Sequence, residues 1–248
     1  MMRAGTPEAA DLASAHTARM SYLDRIELHR PGLVPYEAAF AWQQARADAV
    51  RGGVACEALA LLQHPPVYTL GMRGRRDSVL ESEAAIEARG ASIVQSDRGG
   101  DVTFHGPGQL VAYPILDVRA RELRPASYVR LLEQVVIDTL ADCEVEAGRV
   151  AGRPGVWVRD AKVAAVGVRV RDGISTHGVA INVSTDLGWF DAIVPCGIAD
   201  ASVTSITALR GVAVSHRAVE DAFVEAFALL FHLQPIEEAT AAIAAGAR

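Results

Sequence analysis

The sequence predicts an α+β fold with a mixed, largely antiparallel central sheet flanked by helices. Strand-like segments come in clusters, and the helix-like segments between them do not alternate strictly with the strands. The pair Asp172-Gly173 joins two long apolar segments, and Asp-Gly is a strong signal for a hairpin, which pairs strands antiparallel. The chain has 248 residues, of which 50% are hydrophobic, so one large domain is sufficient.

Four segments have helical features. In the last two of them, apolar residues recur at the spacing that places them on one side of a helix. The second is short and ends beside Gly90, a natural stop for a helix. We therefore predict helices over residues 35–50, 81–88, 127–140 and 217–233.

Short apolar segments bounded by turn residues predict the strands. They fall over residues 58–62, 67–70, 92–95, 110–118, 155–158, 162–171 and 174–183. The last three lie close together in the chain and are predicted to be neighbours in the sheet.

The two ends of the chain differ from its middle in composition. Residues 1–20 are Ala-rich without periodic hydrophobicity and are expected to form a flexible N-terminal tail, and residues 236–248 a C-terminal tail. No linker or internal repeat interrupts residues 21–235. We therefore expect a single domain there.

Composition excludes several classes of function. A net charge of −6 argues against a general binder of nucleic acid or of an anionic membrane, so neither partner is expected. The sequence has no secretory signal and no apolar stretch of about 18 residues. Its three cysteines do not form a disulfide framework, and no histidine lies at metal-ligand spacing from a cysteine. We expect a cytoplasmic protein without a metal site.

One local basic patch is a candidate for binding. Residues 72–76 contain three arginines within four positions. A solvated loop would have the same composition, so both interpretations stay open.

The most glycine-rich segment covers residues 98–109, with four glycines in twelve positions. Glycines let backbone amides approach a ligand closely. The segment lacks the Gly-Lys-Ser/Thr of a phosphate loop and the spacing of a dinucleotide-binding turn, so no nucleotide cofactor is expected. The alternative is a pair of tight turns that join strands.

Cys196 is the candidate nucleophile. Pro195 and Gly197 flank it, which predicts a turn, and a catalytic thiol requires a partly exposed loop beside a cation. Cys56 and Cys143 lie among alanines and aliphatic residues, which is typical of small core side chains. A buried structural thiol remains the alternative for Cys196.

Lys162 is the only lysine of the chain, since every other basic residue among the 24 is an arginine. Arginine does not release its proton, whereas a lysine amine can accept one from a neighbouring thiol and return it later. A pair formed by Lys162 and Cys196 would therefore support acyl transfer through a thioester. His105 and His177 are rival candidates for the base.

Six motifs together resemble the lipoyl(octanoyl) transferases. In chain order they are HPPVYTLGMRG, RGGDVTFHGPGQLVAYP, GRPGVWV, AKVAAVGVRV, STHGVAINV and VPCGI. The resemblance extends over roughly residues 23–233, and the glycine-rich motif combined with Pro-Cys-Gly is highly specific.

The resemblance implies an acyltransferase of lipoate biosynthesis. Such an enzyme moves an octanoyl or similar medium-chain group from acyl carrier protein to a lysine of a lipoyl domain. The acceptors are the lipoyl domains of 2-oxo acid dehydrogenases and the glycine cleavage H protein. The motif positions assign the acyl-thioester to Cys196 and its activation to Lys162. No cofactor is implied, because transfer from a thioester to an amide is downhill.

The resemblance also implies the fold and the substrate-binding residues. The fold would be that of the catalytic domain of biotin protein ligases and lipoate ligases. Phe104 stands where a tyrosine is common in the family. Small residues on two adjacent strands could form the apolar slot. The implied binding residues are Arg98, Gly99, Gly100, Asp101, Val102, Thr103, Phe104, His105, Ala165, Val166, Gly167, Gly178, Val179 and Ala180.

Three other classes remain open at this point. One is an ATP-dependent lipoate or biotin ligase on the same fold, which would need no nucleophilic cysteine. Another is a non-catalytic module that binds lipoyl domains, although the presence of both Lys162 and Cys196 argues against it. The last is a thioesterase or cysteine hydrolase, which differs in admitting water to the site.

Overall fold

A computed structural model of the chain describes residues 25–194, 202–238 and 243. Its strands are β1 Arg25–Leu33, β2 Ala58–Gln63, β3 Val67–Leu70, β4 Ser92–Gln95, β5 Val102–His105, β6 Gln109–Ile115, β7 Gly148–Val150, β8 Arg153–Val158, β9 Ala161–Arg171, β10 Ile174–Asn182, β11 Ser202–Val203 and β12 Gln234–Glu237. Its α-helices are α1 Tyr36–Arg51, α2 Glu83–Ala88, α3 Pro125–Asp142, α4 Ile206–Arg210 and α5 His216–Phe231. Two 3₁₀ helices, Arg76–Ser78 and Leu187–Ala192, complete the described elements.

The described strands form a large sheet and a small one. The large sheet has the order β12-β1-β2-β6-β10-β9-β8-β7, and β11 pairs with β9 outside this path. Pairing is antiparallel from β2 through β7, whereas β12, β1 and β2 run parallel to one another, as does β11 with β9. The small sheet has the order β4-β3-β5. The predicted α+β class with a mixed, largely antiparallel sheet is therefore confirmed.

Both faces of the large sheet are covered by helices. Because successive residues of a strand point to opposite faces, Leu59 and Leu61 belong to one apolar cluster and Ala60 and Leu62 to another. The first cluster joins the sheet to α3 and α5, and the second joins it to α1. The sheet is thus the middle of three layers.

Side-chain caps explain where three of the helices begin. The Oγ atoms of Ser82, Ser205 and Ser215 accept hydrogen bonds from the backbone N–H three residues later, at 3.2, 3.2 and 3.4 Å. Helix α3 begins instead with Pro125, whose missing N–H would have no partner in the first turn.

The predicted elements agree closely with the structure, including the hairpin between β9 and β10. The strand predicted to reach Val118 ends at Ile115, and Asp117 forms only an isolated bridge with Ile174. Residues 1–20 lie outside the described residues, and β12 extends to Glu237, two residues past the predicted end of the domain. Among the described residues, no helix combines the length and the apolar character needed to cross a membrane.

Candidate active site

A cavity of about 650 Å³ lies where β9 and β10 meet the glycine-rich segment. Such a volume is typical of a small-molecule site. Thirteen of the fourteen predicted binding residues line it, together with Lys162, Val203 and Phe190. Their role in binding stays a prediction.

The exception is Phe104. Its side chain is fully buried outside the cavity lining, and its ring stacks on Trp189 with the ring centres 5.1 Å apart. Its carbonyl oxygen accepts a hydrogen bond from Gln109 Nε2 at 3.2 Å. Phe104 therefore contributes to the site through its backbone and through packing.

A β-bulge in β9 determines the direction of Lys162. Trp157 of β8 pairs with Lys162, but its neighbour Val156 pairs with Ala164, so Val163 is an extra residue. Since Trp157 and Val156 point to opposite faces, their partners Lys162 and Ala164 do so as well. Ala164 packs into the apolar core with Val156 and Val163. Lys162 consequently leaves the sheet on the other face.

The Lys162 side chain is only 8% exposed and lines the cavity. Its Nζ atom lies 4.9 Å from the centre of the Trp157 ring, which is the geometry of a cation–π interaction. Strand β11 holds the backbone beside it, because Val203 pairs with Lys162 and Thr204 N–H donates to the Lys162 carbonyl at 2.9 Å.

Cys196 lies outside the described residues, so its predicted role is untested. The other two cysteines are described. Cys143 is buried in the core, as predicted, but Cys56 is only partly buried, because it lies in the loop between α1 and β2.

Thr69 holds Arg98, the first residue of the glycine-rich segment, through three hydrogen bonds. The Nε and Nη2 atoms of Arg98 donate to Thr69 Oγ1 at 3.0 and 2.9 Å, and Nη2 also donates to the Thr69 carbonyl at 2.6 Å. Arg98 is 7% exposed. Buried guanidinium groups need such partners. This arrangement secures the segment that carries most of the predicted binding residues.

His105 belongs to a buried hydrogen-bond chain. Its Nδ1–H donates to Gln109 Oε1 at 2.8 Å, and Gln109 Nε2 donates to Asn182 Oδ1 at 2.9 Å. On the other side, His105 Nε2 lies 3.4 Å from Thr69 Oγ1. Burial, with smaller contributions from His64 and Arg98, lowers the pKa of His105 well below its ordinary value. His105 is therefore neutral and serves as a connecting group.

His177 is held in a conformation that few residues adopt. Its φ is +57°, its backbone N–H donates to Gln43 Oε1 at 2.6 Å, and its Nε2–H donates to Asp97 Oδ1 at 2.6 Å. Burial lowers the pKa of His177, although the bond to Asp97 opposes this effect. The bond from His177 is also the main cause that lowers the pKa of Asp97. The pair consists of a neutral imidazole and a carboxylate.

In the candidate basic patch at residues 72–76, one arginine lies at the cavity and the other two belong to an ordinary surface loop. Arg73 lines the cavity and is exposed. Arg75 forms an exposed pair with Asp77, and Arg76 donates to two backbone carbonyls of the following loop, as expected of an ordinary surface loop.

Sequence reasoning missed several residues of the cavity wall. Tyr36, Tyr113 and Gln109 line it, and Tyr36 and Tyr113 contact the buried ring of His64. Gln109 and Tyr113 lie within the motif 98–114, so they could have been identified from it, whereas Tyr36 is the first residue of a helix and gives no such signal.

Comparison with known proteins identifies the family. The family model described as the lipoyl protein ligase A/B catalytic domain matches residues 35–228. A protein named octanoyltransferase from Solibacter usitatus is 44% identical over 217 residues, which cover 88% of this chain and 98% of the relative. Another octanoyltransferase, from Chloroflexus aurantiacus, is 46% identical over 220 residues, which cover 87% and 98%.

Solved structures agree on the fold. The crystal structure of lipoate-protein ligase A bound with ATP has a TM-score of 0.70 at 18% identity and covers 90% of this chain and 92% of that one. The lipoate protein ligase Ta0514 from T. acidophilum, with bound lipoic acid, has a TM-score of 0.68 at 18% identity, with coverage of 90% and 93%. The predicted likeness to the lipoate ligase catalytic domain is confirmed. The chain therefore belongs to the lipoyl(octanoyl) transferase family, a family of acyltransferases.

Proposed function

We propose that the protein transfers an octanoyl-type acyl group from acyl carrier protein to the lysine amine of a lipoyl domain. Transfer passes through a thioester on Cys196 that Lys162 activates, and it is the first step of protein lipoylation. The acceptors are the lipoyl domains of 2-oxo acid dehydrogenases and the glycine cleavage H protein. Family membership supports the octanoyl group and the lipoyl-domain acceptors.

The observation that carries the proposal is the position of Lys162. It is the only lysine of the chain, it is 8% exposed, and it lines the cavity. A bulge in β9 directs it there. A long cationic side chain is rarely buried, and a buried titratable group at a cavity is a candidate for a catalytic role.

The rest of the cavity wall suits an alkyl chain. Ala165 and Ala180 face each other across β9 and β10, and Val111 pairs with Ala180 from β6. Their small or apolar side chains would exclude water from the bound acyl group. Each buried methylene would then contribute about 0.8 kcal/mol to binding.

The proposed chemistry balances in two steps. Lys162 accepts the thiol proton of Cys196, whose sulfur attacks the donor thioester carbonyl; the carrier's sulfur leaves and takes the proton from Lys162. The acceptor amine then attacks the Cys196 thioester, forming the amide and releasing the thiolate. Lys162 takes the proton of the attacking amine and returns it to Cys196.

Mass spectrometry tests the proposal directly. The protein is incubated with octanoyl-acyl carrier protein, digested, and searched for an octanoyl group on each of its three cysteines. We expect the adduct on Cys196 and its disappearance when a lipoyl domain is added. The Cys196→Ser variant should lose nearly all turnover, because a hydroxyl is far less ionised at neutral pH.

The same assay separates the competing functions. An adduct on Cys56 or Cys143 with Cys196 unmodified would overturn the assignment of the nucleophile. Acylation of the lipoyl domain that requires ATP and free octanoate would indicate a ligase. Hydrolysis of the thioester without transfer would indicate a thioesterase, and no acyl chemistry at all would indicate a binding module.

A further inference from the structure

We infer that Trp157 and Glu133 position the Lys162 ammonium, so that both are positioning residues of the reaction. The inference rests on the proposed function, in which Lys162 moves protons. It names residues outside the predicted site, since neither Trp157 nor Glu133 lines the cavity.

Trp157 lies next to the amine of Lys162. It is buried, its ring lies under Lys162 Nζ at 4.9 Å, and the two residues are register partners across β8 and β9. The ring is itself oriented by the bond from its Nε1–H to the Arg153 carbonyl at 3.2 Å. Its electron-rich face attracts the ammonium and so favours this position of Nζ.

Gly155, also on β8, lies beside the stem of Lys162. Its φ is +109°, which glycine adopts readily and other residues rarely do. A Cβ atom at this position would lie 3.3 Å from Lys162 Cε and 3.6 Å from Cδ. The bare backbone of Gly155 therefore leaves room for the lysine stem and limits its movement.

Glu133 fixes that backbone from helix α3. Its Oε1 accepts a hydrogen bond from Gly155 N–H at 3.0 Å, and its Oε2 accepts one from Arg149 Nε at 3.1 Å. Glu133 is 6% exposed, so the carboxylate is buried and its two bonds are strong. A charged residue on the buried side of a helix costs free energy. The bond from Gly155 N–H to Glu133 explains why this charge is kept, because it holds the backbone beside Lys162 in place.

The experiment uses the fact that the chain has one lysine. Protein labelled with ¹³C-lysine gives the resonances of Lys162 alone, and we expect the Trp157 ring current to move its ε-protons upfield. In Trp157→Leu and Glu133→Leu we expect these protons to return toward their ordinary position, and single-turnover octanoyl transfer to fall at least about tenfold. Acetylation of Lys162 by an activated ester should become faster as the side chain loosens.

Three controls separate positioning from general stability. Trp157→Phe keeps a ring and Glu133→Gln keeps an acceptor for Gly155, so both should retain most of the shift and of the rate. Arg149→Gln removes the other partner of Glu133 but leaves the bond to Gly155, and should retain the lysine signals. If Trp157→Leu or Glu133→Leu fails to fold, Trp157→Ala and Glu133→Ala replace them, and unchanged lysine resonances in those variants would overturn the inference.

The outcomes distinguish this inference from the proposed function. Unchanged lysine resonances and transfer rate in both leucine variants overturn the inference. Loss of transfer in Arg149→Gln as large as in Glu133→Leu also overturns it, because the carboxylate would then act only as a structural tie. Full activity in Lys162→Ala, a variant that contains no lysine, contradicts the proposed function instead.

Discussion

Gly178 of β10 lies directly against the Ala112 carbonyl of β6, so close that a Cβ atom on Gly178 would overlap it and would also stand 2.7 Å from Pro114 Cδ. We therefore expect Gly178→Ala to lower the free energy of unfolding by about 1–3 kcal/mol, because neither the Ala112 backbone nor the Pro114 ring can move away from the new methyl group. Urea denaturation measures this. Gly148→Ala is the control, since a Cβ there meets no atom within 4 Å, and an equal loss in both variants would contradict the explanation.

The same contact changes how the acyl slot should be tested. A larger residue at Gly178 would disturb the sheet instead of shortening the slot, whereas Ala165 already has a Cβ and lines the cavity. We expect Ala165→Val to shift the preference from octanoyl toward shorter chains by about tenfold, the equivalent of displacing two methylenes. Competition between octanoyl and butanoyl donors measures the ratio.

Ala161→Val is the matched control for the slot, because it makes the same change on the same strand outside the cavity lining. It should keep the wild-type ratio even where its rate differs. An unchanged ratio in Ala165→Val would place the acyl chain elsewhere.

The proposed base role of Lys162 predicts a difference between two substitutions. Lys162→Arg keeps a cation that the Trp157 ring also accommodates, so alkylation of Cys196 by iodoacetamide should stay fast at neutral pH. Transfer to the acceptor amine should nevertheless fail, because a guanidinium does not accept a proton. Lys162→Ala should lose both. Near-normal single-turnover transfer in Lys162→Arg would assign the base role to His105 or His177.

Thr69 is expected to support binding without touching the acyl group. Thr69→Val removes the hydroxyl that accepts from Arg98 and faces His105 Nε2, which leaves buried polar atoms without a partner. We expect a loss of about 1–3 kcal/mol in the free energy of unfolding and a higher KM for the acyl donor. Thr69→Ser should restore both values. A raised KM in the serine variant would show that the methyl group matters instead.

Because His64 is buried, we expect the free energy of unfolding to fall in acid. Burial lowers the pKa of His64 to about 4, while its Nδ1–H donates to the Val34 carbonyl and its Nε2 accepts from Tyr113. Between about pH 6.5 and pH 4 the unfolded state binds a proton that the folded state excludes. The stabilisation is therefore complete above pH 6.5 and declines by up to about 3 kcal/mol as the pH falls to 4.

Denaturation of His64→Gln over this pH range checks the prediction. Glutamine can donate to Val34 and accept from Tyr113 but does not titrate, so the variant should lose less stability than the wild type. An identical decline in both proteins would assign the acid sensitivity to other groups.

Local patterns predicted most of the fold because they depend on near neighbours. The hairpin at Asp172-Gly173 and the stripe of Leu132, Val136 and Leu140 in α3 are examples, and both are present. Strand β1 was missed because its sequence RIELHRPGL mixes charges with a proline and a glycine, and its strand character comes from its partners β2 and β12. Propensity does not contain that information.

The site was predictable where one motif carries it and not where distant segments meet. Thirteen residues that line the cavity could be named from contiguous motifs, and their role in binding stays a prediction. The contact between Glu133 and Gly155 could not, because it joins a helix to a strand and neither residue is unusual in its local sequence. Phe104 is the one predicted binding residue that does not line the cavity, because its ring packs on Trp189, which lies far along the chain.

The extra residue at Val163 has a consequence for how this chain can change over generations. Loss of Val163 would give a regular strand in which Lys162 and Ala164 are adjacent and still point to opposite faces, so the amine would stay on the cavity side. Duplications and deletions in the surface turns leave the strands in register and are tolerated far more readily. Loss of one residue elsewhere in β9 is different, because it would move every residue on one side of the deletion to the opposite face of the sheet, and there a single codon determines on which side a side chain lies.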